Sequence, residues 1–206
     1  MPLGRWYKRG QKVYSSRMMY AKNELGERIE PTKNVKAWCP SCNALVRAKC
    51  GKIKVWHFSH VSLVDCDTWS EGETEWHRNW KERFPKEERE VIMFPHRADV
   101  VHSGVVIEFQ SKALQVDELL EREDFYGNMI WVVKSDEKKF TYNKREKNGR
   151  KYYAFYWRWC STTWKMSNRQ IYVDLENGTL FKIWKIYDNN CGAGEIVSYD
   201  KFILRQ

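Results

Sequence analysis

The sequence lacks any long run of apolar residues. No stretch approaches the roughly 18 consecutive apolar residues that a membrane-spanning helix needs. The opening segment MPLGRWYKRGQKVYSS carries charges but not the apolar segment of a secretory signal. We therefore expect a cytoplasmic protein that does not associate with membranes. Internal repeats and low-complexity segments are also missing, which argues against a repeat protein.

Cysteine is too scarce for a disulfide-stabilised scaffold, with six in 206 residues. Cys39 and Cys42 nevertheless form a Cys-x-x-Cys pair, which in a cytoplasmic protein is more typical of metal binding than of a disulfide. His57 and His60 follow in the segment VWHFSH. Because zinc prefers four thiolate or imidazole ligands in a tetrahedron, we predict a structural zinc site at Cys39, Cys42, His57 and His60.

The spacing of the two histidines leaves this ligand set open. His57 and His60 lie closer together in the sequence than the histidines of common zinc fingers, which are separated by about three to five residues. Cys50 or Cys66 could therefore replace one histidine. The alternative without a metal is a pair of reduced thiols and two ordinary histidines.

The composition is basic and rich in aromatic residues. The chain has 36 Lys and Arg against 27 Asp and Glu, a formal charge of +9, and an isoelectric point of about 9.2. This balance favours a polyanionic partner, and we expect DNA, with RNA as an open alternative. The other interpretation is that the charge serves solubility. The oligomeric state stays open, with a homodimer as one arrangement.

The pattern of apolar residues predicts an α+β protein built from three consecutive regions. Residues 1–68 are predicted to form short strands and a zinc knuckle with its β-hairpin. Residues 69–138 combine helix and strand signals and form the core. Residues 139–206 are expected to add an antiparallel β extension rich in aromatic residues.

Periodicity and turn signals locate the main elements. Ser70 can cap the first helix, and Glu73 can complete a capping box. The motif HSG between two apolar runs indicates a tight hairpin. The predicted elements are short strands around a turn at NELGE within 12–36, a helix over 70–84, a strand over 91–95, a hairpin over 97–110, a helix over 112–126, a strand over 129–135, and a solvated linker or extended hairpin over 136–151.

Polar residues interrupt the predicted hairpin RADVVHSGVVIEFQ. Glu108 and Gln110 share one face of their strand because strand side chains alternate. Asp99 lies on the preceding strand, near enough to share a cation with Glu108. Two neighbouring carboxylates repel each other unless a cation lies between them, and Mg²⁺ prefers oxygen ligands. A cation site at this hairpin is therefore one interpretation, and a solvated strand face is the other.

The upstream helix supplies three further candidates. Glu73, His77 and Lys81 are spaced four residues apart and form one stripe of a helix. A carboxylate, an imidazole and a cation on that stripe could point towards the same site as the hairpin. The alternatives are a capping role for Glu73, a packed or solvated histidine, and an ordinary surface lysine.

The motifs, taken in order, resemble the competence protein CoiA-like group of PD-(D/E)XK nucleases. The resemblance rests on CPSC, GKIKVWHFSH, ETEWHRNWK, RADVV, GVVIEFQSK and RED-FY, and it runs from about residue 17 to about residue 135. It implies a restriction-endonuclease-like core of order αβββαβ, with Asp99 and Glu108 as ligands of Mg or Mn. Gln110 matches the position at which the wider superfamily has lysine.

The resemblance also implies roles for residues on the two helices. Glu73 matches the helical carboxylate of the family and would bind the ion directly or through water, with Glu71 and Glu75 as alternative alignments. Arg122 and Tyr126 on the second helix match positions that the family also carries. A surface pair on that helix is the alternative for these two residues.

The leading hypothesis is a metal-dependent deoxyribonuclease, acting as an endo- or exonuclease in DNA processing such as recombination, uptake or mobile-element biology. Gln110 would position the attacking water, and His77 or Lys81 would contact the scissile phosphate. The expected cofactors are structural Zn and catalytic Mg or Mn. The first alternative is a non-catalytic, zinc-stabilised DNA-binding protein on a nuclease fold. The second is an interaction protein that uses the Trp-rich segment YWRWCSTTWK.

Overall fold

The computed structural model describes residues 17–62, 66–67, 69, 73–136 and 138–204. The chain separates into two compact units, the first formed by 1–75 with 92–97 and the second by 76–91 with 98–206. The α+β class is confirmed, and strands predominate. None of the helices in the described part of the chain has the length and apolar character needed to span a membrane.

The first unit contains a five-stranded sheet of order β2-β1-β3-β4-β5. Its strands are β1 (Ala21–Lys22), β2 (Arg28–Ile29), β3 (Ala37–Trp38), β4 (Leu45–Lys49) and β5 (His57–His60). Asn23 Oδ1 accepts hydrogen bonds from the backbone N–H groups of Leu25 and Glu27 and so closes the predicted turn between β1 and β2. Met18, Val46 and Phe58 are buried in its core.

The second unit carries the remaining helices and strands, and its helices are short. Its elements are α1 (Glu75–Lys81, from Trp76 onwards), β6 (Arg89–Met93, up to Val91), β7 (His96–His102, from Ala98 onwards), β8 (Val105–Gln110), α2 (Val116–Tyr126), β9 (Met129–Lys134), β10 (Phe140–Lys147), β11 (Arg150–Trp157), α3 (Thr162–Met166), β12 (Gln170–Asp174), β13 (Thr179–Ile186), β14 (Cys191–Ser198) and α4 (Tyr199–Ile203).

A nine-stranded sheet has the order β10-β11-β14-β13-β12-β9-β8-β7-β6. Its centre is parallel, because β8 pairs with β9 and β9 pairs with β12. The pairs β7/β8, β12/β13, β13/β14, β11/β14 and β10/β11 are antiparallel. β9 has the sequence MIWVVK and is buried along its length except at its last residue, as is typical of a central parallel strand.

The C-terminal region 139–206, predicted as an antiparallel β extension, includes one strand, β12, that pairs in parallel with β9 of the core. Gln170 of β12 lies opposite Ile130 of β9, and Asp174 lies opposite Lys134, so these strands continue the sheet of the core. The reason is that β9 needs hydrogen-bonding neighbours along both of its edges. Periodicity identifies such a strand but not the strands beside it. Of the two interpretations of 136–151, the extended hairpin is correct, because β10 pairs with β11.

The element boundaries also differ from those expected. The helix predicted over 70–84 begins at Glu75 and ends at Lys81, and the predicted cap at Ser70 lies outside the described residues. The strand predicted over 91–95 is β6, which begins at Arg89 and ends at Met93. The second helix begins at Val116 rather than at 112.

A buried carboxylate fixes α1 against the sheet. Asp174 Oδ2 accepts hydrogen bonds from the indole N–H groups of Trp76 and Trp80, each at 2.8 Å. Asp174 Oδ1 accepts from the Tyr199 hydroxyl and from the backbone N–H of Glu176. Burial, followed by the hydrogen bond to Asp174, raises the pKa of Tyr199 above its usual range, so its hydroxyl remains a donor.

Candidate functional site

Three cysteines and one histidine of the first unit converge on one point. The ligand atoms of Cys39, Cys42, His60 and Cys66 all lie within 4.8 Å of one another. Cys42 Sγ is 3.3 Å from His60 Nε2, and Cys39 Sγ is 3.8 Å from Cys66 Sγ. We call these four residues the thiol–imidazole cluster. Three sulfurs and one imidazole are a ligand set that zinc prefers, so the cluster could bind zinc.

Local backbone geometry explains how the Cys-x-x-Cys pair folds. The N–H of Cys39 donates to Ala44 O at 2.8 Å, and the N–H of Asn43 donates to Cys39 O at 3.0 Å. Asn43 adopts a positive φ of 58°, which lets the chain reverse between β3 and β4. The turn therefore brings both thiols to one side, where β5 supplies His60.

Cys66 takes the place that was predicted for His57. The two histidines are three positions apart on β5, and side chains at an odd separation point to opposite faces of a strand. His57 Nδ1 instead lies 2.8 Å from Val55 O, outside the cluster. Cys50, the other alternative, is also outside it. The unusual histidine spacing was the signal that a thiol replaces one of them.

The thiols of the cluster perturb each other's ionisation. A hydrogen bond from Cys66 lowers the pKa of Cys39 below its usual range, and the same contact, together with burial, raises the pKa of Cys66. A thiolate that accepts a hydrogen bond is stabilised in its charged form, and the donor thiol must keep its proton. Cys39 is therefore the thiol stabilised as a thiolate, which is the form in which cysteine binds a metal.

In the second unit, β7 and β8 bring Asp99 and Glu108 together. The backbone N–H of Asp99 donates to Glu108 Oε1 at 3.0 Å, and the backbone N–H of Phe109 donates to Asp99 Oδ2 at 3.0 Å. Glu108 is buried, whereas the Asp99 side chain is 25% exposed. We call this pair the acidic hairpin. Asp99 is the member that solvent can reach.

Lys81 on α1 joins the acidic hairpin. Its Nζ lies 3.5 Å from Asp99 Oδ1 and 3.1 Å from Glu90 Oε1, and its side chain is 2% exposed. A charge this deeply buried requires partners of opposite charge. Glu73 lies before α1, so the predicted helical stripe of Glu73, His77 and Lys81 is reduced to its last two residues. Sequence reasoning missed Glu90, which stands in the charged run KEERE without any signal that separates it from its neighbours.

Arg122 on α2 pairs with Glu108 from the other side. Its Nη1 is 3.0 Å from Glu108 Oε2, and Glu118 contacts the same guanidinium. Burial opposes the charged form of Arg122, but the carboxylates of Glu108 and Glu118 outweigh it and raise its pKa. Arg122 is thus a part of the site rather than a member of a surface pair on its helix, and Tyr126 on the same helix is buried.

The remaining predicted residues lie in different surroundings. Burial is the largest cause of a lowered pKa at His77, which is therefore neutral at pH 7, and Asp99 opposes that shift. Gln110 is 1% exposed at the end of β8. Glu73 belongs to the first unit, where it is buried and its carbonyl accepts from Arg17 Nη1 at 3.3 Å. Glu71 and Glu75 are the alternative alignments for the helical carboxylate. Glu71 lies outside the described residues, and Glu75 is exposed.

The two sites differ in the number of metal-ligand atoms that each brings together. Within the described residues, the thiol–imidazole cluster is the one group of three or more Cys, His, Asp or Glu with ligand atoms close enough to hold a metal. The acidic hairpin contributes two carboxylates, each already hydrogen-bonded to backbone. Of the predicted Mg or Mn ligands, Asp99 and Glu108 belong to the second unit and Glu73 belongs to the first. This ligand set stays a prediction.

Comparison with known proteins gives a match within the first unit. Residues 22–68 match the family model for competence protein CoiA, N-terminal domain. The matched segment contains the last residue of β1, strands β2 to β5 and all four residues of the thiol–imidazole cluster. No curated protein and no solved structure matches the chain significantly. The resemblance to the CoiA family is therefore supported over this segment.

Proposed function

We propose, on the premise of the CoiA-like N-terminal segment, that this chain is a zinc-stabilised nuclease that hydrolyses phosphodiester bonds in DNA with the help of Mg²⁺ or Mn²⁺. The zinc would be held by the thiol–imidazole cluster. The nuclease core would be the succession α1-β6-β7-β8-α2-β9, which has the αβββαβ order of PD-(D/E)XK enzymes. Such an enzyme would process DNA during uptake or recombination.

The observation that carries the proposal is the contact between Asp99 and Glu108 beside Lys81. Each carboxylate accepts a backbone N–H from the other strand, so both acids lie at the same point of the hairpin, where neighbouring carboxylates raise the free energy of each other's charged form. A carboxylate oxygen that accepts a hydrogen bond from backbone can still bind a metal ion, because it can accept more than one bond. The donor set therefore fits Mg²⁺ or Mn²⁺, with water and phosphate oxygens completing the coordination.

Each residue around the acidic hairpin would have a defined task. When bound, the divalent ion would supply a more acidic water and stabilise charge on the phosphate. Lys81 is a fixed cation within 3.5 Å of Asp99 and would stabilise the negative charge of the transition state. Gln110 would orient water through its amide. His77, held neutral by burial, would accept or donate a hydrogen bond without adding charge.

A second candidate function follows from the ion pairs. Arg122 neutralises Glu108 at 3.0 Å, and Lys81 lies between Glu90 and Asp99. A carboxylate satisfied by protein cations has less to gain from a metal ion. This arrangement favours a non-catalytic, zinc-stabilised DNA-binding protein that retains the nuclease fold. RNA binding, favoured by the same net charge of +9, is a variant of this candidate.

The test is an activity survey of the zinc-loaded protein. Linear, circular, single-stranded and branched DNA, and an RNA of the same length, are incubated with Mg²⁺, with Mn²⁺, or with neither ion added. The nuclease proposal requires cleavage of at least one DNA form that depends on the added ion. Binding of DNA without cleavage of any form under these conditions would instead support the second candidate.

A further inference from the structure

The C-terminal half of the chain contains a basic groove far along the sequence from the acidic hairpin. Its volume is about 320 Å³, close to the lower end of the roughly 300–1,000 Å³ range of ligand pockets. It lies where β12 begins and β13 ends. The lining residues are Trp164, Lys165, Ser167, Asn168, Arg169, Gln170, Ile171, Ile183, Trp184, Lys185 and Ile186.

The charges that line the groove have one sign. Lys165, Arg169 and Lys185 are its charged members, and none of its lining residues, all of which the structure describes, is acidic. Lys165 Nζ donates to the carbonyl of Asp188, and Lys185 Nζ lies 5.1 Å from the Tyr187 ring centre. Within the described chain neither lysine forms an ion pair, so both charges remain available to an anion.

A β-bulge places a tryptophan beside these charges. The register of β13 and β14 shifts between Ile183 and Lys185, so Trp184 has no opposite residue on β14. Side chains of a regular strand alternate between faces, but here Trp184 and Lys185 are both exposed, with Trp184 at 52%. Bulges commonly redirect side chains at functional sites. This one presents an aromatic ring and a cation together.

Glycines on the neighbouring strand accommodate the bulge. A Cβ atom on Gly194 would lie 2.2 Å from Lys182 O, and one on Gly192 would lie 2.1 Å from Lys185 O. Gly194 lies opposite Ile183, immediately before the bulged residue. The strand pair therefore requires glycine at both positions for β13 to keep this shape.

Arg169 lines the groove and is held in place by α2. Its Nη2 donates to Glu123 O at 3.0 Å, while the Glu123 carboxylate accepts from the Ser167 hydroxyl and the Asn168 N–H. Arg169 Nε is buried and has no hydrogen-bond partner among the described residues. The contacts with α2 thus fix the position of this cation in the lining of the groove.

We propose that the basic groove binds single-stranded nucleic acid, with a base stacked on Trp184 and the flanking phosphates contacted by Lys165, Arg169 and Lys185. A cationic groove beside an exposed aromatic ring is how proteins bind unpaired strands, because bases offer their faces only when unpaired. This inference concerns binding and does not depend on cleavage at the acidic hairpin.

The experiment measures equilibrium binding of a fluorescent single-stranded oligonucleotide by anisotropy, in the zinc-loaded protein without added Mg²⁺ or Mn²⁺. Trp184→Ala should weaken binding about tenfold, as expected from the loss of one stacked base. Trp184→Phe keeps an aromatic face and should restore most of the affinity. Trp159→Ala is the matched control, because Trp159 is 70% exposed and lies outside the groove.

Two double variants that remove equal charge distinguish binding at the groove from general electrostatic attraction. The double variant Lys165→Gln with Lys185→Gln and the control double variant Lys147→Gln with Lys201→Gln remove the same charge from exposed or part-exposed lysines. The groove variant should lose about tenfold more affinity for single strands than the control. Equal losses in the two pairs, or unchanged binding by folded Trp184→Ala, would overturn the proposal.

Discussion

Glu108 Oε1 accepts the backbone N–H of Asp99 at 3.0 Å, so the two acids of the hairpin lie in direct contact across two antiparallel strands. The partner of each acid comes from a different helix, Lys81 from α1 and Arg122 from α2. The site therefore depends on both helices being held against the sheet. A structural defect in either helix should change its chemistry.

Zinc content should show whether Cys66 or His57 is the fourth ligand of the zinc site. Protein purified without chelators should contain about one zinc per chain, and Cys66→Ser should lose it, because a hydroxyl is a poor zinc ligand. His57→Gln should retain the metal, since His57 lies outside the thiol–imidazole cluster. Elemental analysis of the folded proteins makes the comparison, with Cys50→Ser as the control. Loss of zinc in His57→Gln but not in Cys66→Ser would reverse the assignment.

The Lys81–Glu90 ion pair should contribute strongly to stability because both side chains are buried. Glu90→Gln removes the carboxylate 3.1 Å from Lys81 and keeps Asp99 at 3.5 Å, and we expect the free energy of unfolding to fall by about 3 kcal/mol. Urea denaturation measures the change. Glu176→Gln is the matched control, because Lys134–Glu176 has the same 3.1 Å separation but is about 40% exposed. Its cost should stay below about 1 kcal/mol.

Equal destabilisation by Glu90→Gln and Glu176→Gln would show that burial does not set the strength of these pairs. A neutral effect of Glu90→Gln alone would show that Asp99 suffices to compensate Lys81.

The Asp174 network should position α1. Asp174→Asn exchanges one acceptor oxygen for an N–H₂ group that faces indole or hydroxyl donors, and we expect a loss of about 3 kcal/mol in the free energy of unfolding. Tyr199→Phe removes one donor from the same carboxylate and should cost about 1–2 kcal/mol. Thermal or urea denaturation gives both values. If Asp174→Asn were as stable as the unmodified chain, α1 would have to be held by apolar packing alone.

The packing around the bulge can be tested at Gly194. Gly194→Ala should destabilise the protein by about 1–3 kcal/mol or prevent folding, because the new Cβ would lie 2.2 Å from a backbone oxygen and 2.4 Å from Phe181. Gly51→Ala is the control, since a Cβ there meets nothing within 4 Å, and it should be neutral within about 0.5 kcal/mol. Comparable melting temperatures for the two variants would contradict the close approach of β13 and β14 at this position.

Local patterns in the sequence predict much of this fold. The turn at NELGE, the hairpin at HSG and strand β8 each depend on a few adjacent residues, and each is found in the structure. The β-hairpin of 140–157 was likewise one of two interpretations of a charged segment.

Long-range partners were not predictable in the same way. The pairing of β12 with β9, the ion pair of Lys81 with Glu90 and the contact of Arg122 with Glu108 join residues that no short motif connects. At the thiol–imidazole cluster, the Cys-x-x-Cys pair and His60 followed from spacing. The exchange of His57 for Cys66 required the strand geometry of β5, because only the alternation of faces decides which histidine reaches the thiols.

The most direct test of the nuclease proposal compares cleavage and DNA binding for Asp99→Asn. The substitution keeps the shape of the side chain but removes a charged ligand, so ion-dependent cleavage should fall at least about 100-fold while binding persists. Asp124→Asn, an exposed acid on α2, should cleave normally. We expect cleavage by the unmodified chain and by Asp124→Asn but not by Asp99→Asn. Equal cleavage by all three proteins would contradict the assignment of the acidic hairpin as the catalytic site.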